Sequence, residues 1–131
     1  MSAILRRMPR QRRTGGLAYL RGVAAEARAC AALTGDGWTV LGRRLRTEAG
    51  EIDVVAAKPD LLAIIEVKAR ATLADAACAL RPRQQARLLA AAEILLAQHP
   101  EWARDGMRFD LIVVDGAGAV RRIADAFRWE N

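Results

Sequence analysis

The chain has 131 residues, of which 53% are apolar, and this length predicts one compact domain with its own hydrophobic core. It contains one histidine and one serine, so a histidine-rich zinc site and a Ser-His-Asp triad are excluded. The formal net charge is +6, and a basic balance favours polyanionic partners.

The positive charge is concentrated at the front of the chain. Residues 1–46 contain ten arginines and two acids, a net charge of +8, whereas residues 47–131 carry a net charge of −2. Residues 1–16 hold five of these arginines without sustained periodicity. We predict that they form a disordered basic arm ahead of a single domain over residues 17–131. The arm either binds nucleic acid or only keeps the protein soluble.

The compartment is indicated by the apolar stretches and the cysteines. No stretch reaches the roughly 18–20 apolar residues of a membrane span, and the start of the chain lacks the apolar region of a secretory signal. Cys30 and Cys78 are 48 positions apart without a CxxC motif, which suits structural packing in a reducing compartment. We therefore expect a cytoplasmic protein without a membrane partner. Its chemistry would have to use carboxylates, lysine, arginine or tyrosine, with a hard metal ion bound by oxygen.

Hydrophobic periodicity predicts the element order αβββαββ, which is typical of an α/β fold with a mixed sheet and helices packed against it. Pro82 is a suitable first residue for the second helix, and Pro100 ends its pattern. The helices are predicted at residues 17–33 and 82–99. The strands are predicted at residues 38–41, 51–56, 62–68, 109–114 and 120–123, with residues 42–46 leading to a turn at Ala49 and Gly50.

The second and third strands are predicted to form a hairpin in which Pro59 and Asp60 are the central turn residues. This register follows from the alternation, because a slip of one residue would place apolar side chains opposite charged ones. The expected apolar pairs are Ile52 with Val67 and Val54 with Ile65. The expected charged pairs are Asp53 with Glu66 and Glu51 with Lys68.

Asp53 and Glu66 would then be like charges with Cβ atoms about 4.5–5.5 Å apart, an arrangement that is destabilising unless a cation offsets it. Mg²⁺ prefers oxygen ligands and is typically held by one or two carboxylates, water and substrate phosphate. Lys68 projects from the same face as Glu66 and could hold the attacking water or counter the charge that develops on phosphorus. The arrangement fits phosphodiester hydrolysis. The alternative is a solvated outer face of an amphipathic hairpin, with an ion pair between Glu51 and Lys68.

Two observations bear on that alternative. The chain contains 19 arginines and only two lysines, so a lysine at position 68 is unusual for this sequence. This rarity counts weakly in favour of a functional role for Lys68. Glu26 lies at the margin of the apolar stripe of the first helix, where a lone glutamate is usually solvated. If this helix packs beside the hairpin, Glu26 would add a further carboxylate to the site.

These residues carry a resemblance to a known family. Glu26 lies within an Ala-Glu-Ala helix, and Gly50-Glu51-Ile52-Asp53, Ile65-Glu66-Val67-Lys68, Arg108-Phe109-Asp110 and Asp125-Ala126-Phe127 follow in order. The ordered combination, over about residues 17–129, closely resembles the YraN-like family of bacterial proteins. That family is similar to archaeal Holliday-junction resolvases and to the wider PD-(D/E)xK nuclease superfamily.

The resemblance implies a restriction-endonuclease-like core and a nuclease site dependent on Mg²⁺ or Mn²⁺. Asp53 and Glu66 would be the metal ligands, Lys68 the base that contacts water or phosphate, and Glu26 an additional catalytic acid. Glu51 also matches the family's motif, and we expect it and Gln84 to be accessory residues. Gln84 stands where the family normally has a lysine, so Arg83 or Arg87 would have to replace that lysine.

The first functional hypothesis is a structure-selective endonuclease that acts on branched or junction DNA. A homodimer is one arrangement in which it would act. Arginines are expected to bind the phosphates without identifying the base sequence. The candidates are Arg43, Arg44, Arg46, Arg70, Arg83 and Arg87. One alternative is a nucleic-acid-binding module of nuclease fold that does not cleave. The other is an accessory partner of DNA recombination or repair proteins.

Overall fold

The computed structural model describes residues 10–70 and 80–127, with side chains described from residue 21 onward. These residues form a five-stranded mixed sheet with a helix on each face. The elements are α1 (Arg10–Gly35), β1 (Thr39–Thr47), β2 (Gly50–Lys58), β3 (Leu61–Ala69), α2 (Pro82–Gln98), a 3-10 turn (Pro100–Trp102), β4 (Gly106–Val114) and β5 (Val120–Phe127). The predicted order αβββαββ is confirmed, and so is the α/β fold with a mixed sheet that a restriction-endonuclease-like core requires.

The strands lie in the order β1-β2-β3-β4-β5. β3 and β4 are parallel, and the other neighbouring pairs are antiparallel. The carboxyl ends of β1, β3 and β4 therefore lie at the same edge of the sheet as the amino end of β2. We call this edge the site edge. It contains the last residues of β1, β3 and β4 and the first residue of β2, which are Thr47, Ala69, Val114 and Gly50.

Both faces of the sheet are covered, so its central strands are apolar at successive positions rather than at alternate ones. On one face, Ala29 and Leu33 of α1 belong to the same buried cluster as Ile65 of β3. On the other face, Leu88 of α2 is clustered with Ile64. Each fully buried leucine or isoleucine contributes about 1.5–3 kcal/mol relative to an exposed one, so both helices are held firmly on the sheet.

Helix α1 begins at Arg10, seven residues before the predicted start. Residues 10–16 are therefore helical and do not belong to a disordered arm, and residues 1–9 lie outside the described part of the chain. Arginine is a good helix former, and the two glycines that were expected to end the arm lie inside the helix. Helix α2 is one residue shorter than predicted. No helix in the described ranges is long and apolar enough to cross a membrane.

Strand β1 is the largest departure from the predicted strands, because it continues through residues 42–46 to Thr47. Two local irregularities hid it from the sequence pattern. The register with β2 shifts between Val40 and Gly42, and Arg44 has a left-handed φ of 51°. Both interrupt the alternation by which a strand is predicted. β4 begins earlier and β5 ends later than expected.

The hairpin turn is confirmed, because β2 ends at Lys58 and β3 begins at Leu61, and Val54 pairs with Ile65 as predicted. The register beyond that pair was predicted wrongly. The regular pairing ends there, and the Asp53 side chain accepts the backbone N–H of Val67 instead. Ile52 packs on the α2 face, whereas Val54 and Val67 pack on the α1 face. The alternation of β2 is thus interrupted at Asp53.

Cys30 is buried in the cluster on the α1 face, which confirms its predicted packing role. Burial raises the pKa of its thiol. Cys78 lies outside the described residues. His99 follows α2, where its ring stacks on Trp102 with a centroid distance of 3.9 Å.

Candidate active site

The centre of the site lies where β2 begins and β3 ends. Asp53 is half-buried, and its Oδ2 accepts the Val67 N–H at 2.8 Å. Glu66 is buried, with 8% of its surface exposed. The Nζ atom of Lys68 lies 2.9 Å from Oε1 of Glu66. Two acids and one lysine are therefore gathered at the site edge, as the sequence predicted.

The environment of Asp53 favours its neutral form. Burial, followed by the charge of Glu66, raises the pKa of Asp53 from 3.8 to about 7. Glu26 raises this pKa further, while the Val67 N–H and the charge of Lys68 lower it. Desolvation and a like charge both disfavour a carboxylate, so a cation at this point would relieve a real electrostatic cost.

A narrow cleft of about 130 Å³ lies between the site edge and α2, and Glu66 and Gln84 line it together with Arg87 and Glu51. Nε2 of Gln84 donates a hydrogen bond of 3.1 Å to Oε1 of Glu66. The same oxygen therefore accepts from both Lys68 and Gln84, and this fixes the orientation of the Glu66 carboxylate. Gln84 is thus placed beside the site, where an accessory residue was predicted.

Glu26 reaches the site from the α1 face. It is 6% exposed, so the interpretation of it as a solvated helical residue is wrong. Its Oε2 lies 3.2 Å from Nε of Arg44. Its Oε1 is buried and has no hydrogen-bond partner among the described residues. Burial raises the pKa of Glu26, and Arg44 opposes that rise. Glu26 therefore keeps one buried oxygen free to bind a ligand.

The acids at this edge are also flanked by arginines of β1. Glu26 and Glu51 line a cavity of about 440 Å³ together with Arg44 and Arg46. Arg46 pairs with Glu51 at 3.4 Å through a side chain that is 87% exposed. The predicted partner of Glu51 was Lys68, which pairs with Glu66 instead. The interpretation of the hairpin as a solvated face is also wrong, because Glu66 is buried under α2.

The remaining predicted arginines lie around this centre at different distances. Arg43 is exposed on β1 and lowers the pKa of Glu26. Arg83 is exposed in the first turn of α2. Arg70 lines a cavity on the far side of α1 together with Arg21 and Arg28. Arg21 and Arg28 were not among the predicted candidates. The available signal for these two arginines was their seven-residue spacing, which places both side chains on one face of the helix.

The donor set suits a hard cation, although it is small. Within residues 10–70 and 80–127, no group of three Asp, Glu, His or Cys side chains is close enough to hold a metal on its own. Mg²⁺ needs only one or two carboxylates when water and substrate phosphate complete its ligands. Asp53, Glu66 and the unpartnered oxygen of Glu26 provide oxygen donors of this type.

The comparison with known proteins identifies the family. Residues 25–114 match the model of the family described as uncharacterised protein family UPF0102. The chain belongs to the UPF0102 family. A UPF0102 protein of Granulibacter bethesdensis is 62% identical over 117 residues, which are 89% of this chain and 74% of the relative. A UPF0102 protein of Azorhizobium caulinodans is 49% identical over 120 residues, or 92% of each chain.

This match confirms the resemblance to the YraN-like family at the level of the family itself. The matched range of this UPF0102 protein contains Glu26, Asp53, Glu66 and Lys68, whereas Arg21 lies ahead of it. The site edge, α2 and residues 25–35 of α1 therefore belong to the part of the chain that the family model describes.

Proposed function

We propose that this UPF0102 protein is an endonuclease, dependent on Mg²⁺ or Mn²⁺, that hydrolyses phosphodiester bonds in branched DNA. The observation that carries the proposal is the convergence of Asp53, Glu66 and Lys68 at one sheet edge, with the buried Glu26 of α1 near enough for its charge to raise the pKa of Asp53. The preference for branched DNA rests on the resemblance of the motifs to those of junction resolvases.

The electrostatics of Asp53 and Glu66 support a metal site. The charge of the buried Glu66 raises the pKa of the half-buried Asp53, and a divalent cation shared by both carboxylates would stabilise the charged form of Asp53. We assign Asp53 and Glu66 as the residues that would hold the metal and Glu26 as an outer acid that would orient water. A divalent cation held there would supply Lewis-acid polarisation of the phosphoryl group.

Lys68 supplies the positive charge beside the reacting phosphoryl group in this proposal. Its ammonium lies 2.9 Å from Glu66, in a position to stabilise negative charge that develops on the phosphoryl oxygens during attack by water. Its side chain is only 17% exposed, and burial strengthens that interaction because water screens it less. Gln84 holds the Glu66 carboxylate from the other side, so Glu66, the proposed metal ligand, and the ammonium of Lys68 stay aligned.

The arginines around the acids would hold the DNA. Arg44 and Arg46 on one side and Arg87 on another border the cavities that contain Glu26, Glu51 and Glu66. Contacts with phosphates position a duplex without selecting its sequence, which suits an enzyme that recognises DNA structure. The proposed cytoplasmic location is compatible with such a substrate.

The test is a cleavage assay with purified protein. A labelled four-way junction, a replication-fork mimic and a linear duplex are incubated with Mg²⁺, Mn²⁺ or EDTA. We expect cutting of the branched substrates with either metal and none in EDTA. The variants D53N, E66Q and K68A should each reduce the rate at least 100-fold, because removal of one group from such a constellation typically costs this much or more.

Matched controls separate the site from general effects of lost charge. D60N removes a carboxylate from the exposed hairpin turn at the opposite edge of the sheet, and E93Q removes one from an exposed position on α2. Both should cut like the parent protein. Binding of the junction without cutting under every metal condition would reject the nuclease and leave a binding module. Absence of binding as well would reject both and favour an accessory role.

A further inference from the structure

The cavity that contains Arg70 lies on the far side of α1 from Glu26, and the acidic site does not use it. It is an open groove of about 580 Å³ between α1 and the loop that joins β4 to β5. Of the residues that the structure describes, three arginines line it: Arg21 and Arg28 from α1 and Arg70, which directly follows β3. We call it the arginine groove.

The described residues that line the arginine groove carry a net positive charge. Asp115 is the one acid among those described residues, and its Oδ1 accepts the backbone N–H groups of Ala117 and Ala119 within the loop. Within the described part of the chain, neither Arg21 nor Arg28 has a salt-bridge partner, and both are exposed. Unpaired guanidinium groups in a concave surface attract anions that can accept several hydrogen bonds.

The backbone of the loop is adapted to Arg28. Gly118 has a φ of +87°, and a Cβ atom there would lie 2.6 Å from Nη1 of Arg28. The guanidinium of Arg28 therefore packs directly against the Gly118 backbone, a contact that a larger residue at position 118 would prevent. This contact orients Arg28 across the groove toward the loop rather than leaving it free on the helix surface.

The spacing of the arginines fits an extended polyanion better than a single phosphate ion. Arg21 and Arg28 are seven residues apart, which is about 10.5 Å along the helix axis. That length matches about three nucleotides of one DNA strand at about 3.4 Å each. Ala69 and Val114, the last residues of β3 and β4, also line the groove, so it opens at the site edge.

We propose that the arginine groove binds the phosphate backbone of a nucleic-acid strand as it leaves the acidic site. The inference rests on the proposed function for the identity of its ligand. It adds a second binding surface on the side of α1 opposite the Glu26 cavity, with Arg21 and Arg28 as its main contacts. Phosphate contacts carry no sequence information, so the groove should contribute alike to junction, duplex and single-stranded DNA.

The test measures binding by fluorescence anisotropy in EDTA, where no cleavage occurs. The probes are a labelled four-way junction, a linear duplex and a single strand, each over a range of salt concentrations. The double variant R21Q/R28Q should bind each probe at least tenfold more weakly. The slope of log K against log salt should fall in magnitude by about 1.8 for the junction and the duplex and by about 1.4 for the single strand, since each lost phosphate contact accounts for about 0.9 and about 0.7 respectively.

Two further variants make this result specific. R121Q removes the same charge per residue from an exposed position on β5 outside the groove, and its affinity should stay within twofold of the parent protein. A24E keeps every arginine but places a carboxylate on an exposed groove position of α1, and it should weaken binding at least fivefold. Thermal melts followed by circular dichroism establish that each variant is folded.

The outcomes distinguish the groove from the proposed nuclease. If R21Q/R28Q and A24E bind like the parent protein with an unchanged salt slope, while the parent binds and cuts, the groove is rejected and the nuclease stands. If the parent protein binds none of the three probes, both proposals are rejected. A loss confined to the groove variants, with R121Q unaffected, supports the groove even where no cutting is detected.

Discussion

The Oδ2 atom of Asp53 accepts the backbone N–H of Val67 at 2.8 Å, in the place where the next pair of the hairpin ladder would lie. The Asp53 side chain thereby accepts a hydrogen bond from the buried N–H of Val67, which would otherwise need a backbone carbonyl of β2 as its acceptor. The proposed metal ligand thus also shapes the backbone of the site edge. Asparagine retains an oxygen acceptor but no charge, so substitution can separate the two roles.

The first prediction concerns the pH dependence of stability without metal. Since the pKa of Asp53 is about 7 in the folded protein and 3.8 is its ordinary value, the folded state binds more protons between those pH values. The free energy of unfolding therefore falls as pH rises through this window. D53N lacks this loss, so its stability relative to the parent protein should improve by up to about 4 kcal/mol between pH 4 and pH 8.

Urea denaturation in EDTA at several pH values measures this difference. D53A should show the same pH dependence as D53N but be less stable than D53N at every pH by about 1–3 kcal/mol, because it leaves the Val67 N–H without its acceptor. D60N serves as the control, since it changes an exposed carboxylate of the turn. An equal pH dependence of D53N and the parent protein would contradict the raised pKa.

The second prediction concerns the pair formed by Glu26 and Arg44. R44Q leaves a buried carboxylate without its cation and should destabilise the protein by about 1–3 kcal/mol at pH 7.5. E26Q should restore most of this loss in the double variant, because a neutral amide carries a smaller desolvation penalty. R46Q removes one partner of an exposed pair and should change stability by less than about 0.5 kcal/mol.

Urea midpoints of the four variants and the parent protein test the coupling. The result to compare is the interaction energy of the double-mutant cycle between positions 26 and 44. Simple additivity of E26Q and R44Q would show that the buried charge does not depend on Arg44.

Much of the hairpin could be predicted from the sequence because its evidence is local. Pro59 and Asp60 are turn residues, and the apolar residues on either side admit one register, so the pair Val54 and Ile65 was predicted correctly. The residue types of the candidate site also follow from the sequence, since Asp53, Glu66 and Lys68 lie within the same hairpin.

The remaining features depend on contacts between distant segments. The burial of Glu26 requires α1 to cross the sheet, which no pattern within the helix specifies. The face of Ile52 changes because the Asp53 side chain enters the ladder, and periodicity assumes that backbone groups alone form it. The arginine groove combines residues from α1, β3 and a loop, so only tertiary structure brings Arg21 and Arg70 together.

The third prediction concerns Gln84 and metal affinity, and it rests on the proposed metal site. Nε2 of Gln84 lies 3.1 Å from Oε1 of Glu66, so a charge at position 84 acts directly on that carboxylate. Q84E should increase the affinity for Mn²⁺ roughly tenfold, because it adds a negative charge beside the proposed ligand. Q84K should lower the affinity by a similar factor, because its ammonium competes with the cation for Glu66.

Isothermal titration calorimetry with Mn²⁺ in the absence of DNA measures both changes. Q85E is the matched control on the adjacent residue, whose amide donates to the carbonyl of Leu80 rather than to an acid of the site. Equal Mn²⁺ affinities for Q84E and Q84K would exclude Glu66 as a ligand.

The fourth prediction concerns a charge pair that stabilises the fold away from the acidic site. The Asp110 side chain is completely buried, and Arg108 forms two hydrogen bonds to it of 2.7 and 2.9 Å. Oδ1 of Asp110 also accepts the backbone N–H of Asp125, a residue with a left-handed φ of 56°. These contacts connect β4 to the end of β5, and the hydrogen bonds that Arg108 donates to Asp110 raise the pKa of Arg108.

R108Q should destabilise the protein by about 3–5 kcal/mol, because it leaves an uncompensated charge in the interior. The double variant R108Q/D110N should lose less stability than the two single variants lose together, since neither charge of the pair remains. D105N, an exposed substitution in the preceding turn, should change the free energy of unfolding by less than about 0.5 kcal/mol. Chemical denaturation at 15 °C keeps the weakest variant partly folded and measurable. A loss below about 1 kcal/mol for R108Q would contradict the prediction and show that the buried Asp110 carboxylate does not depend on Arg108.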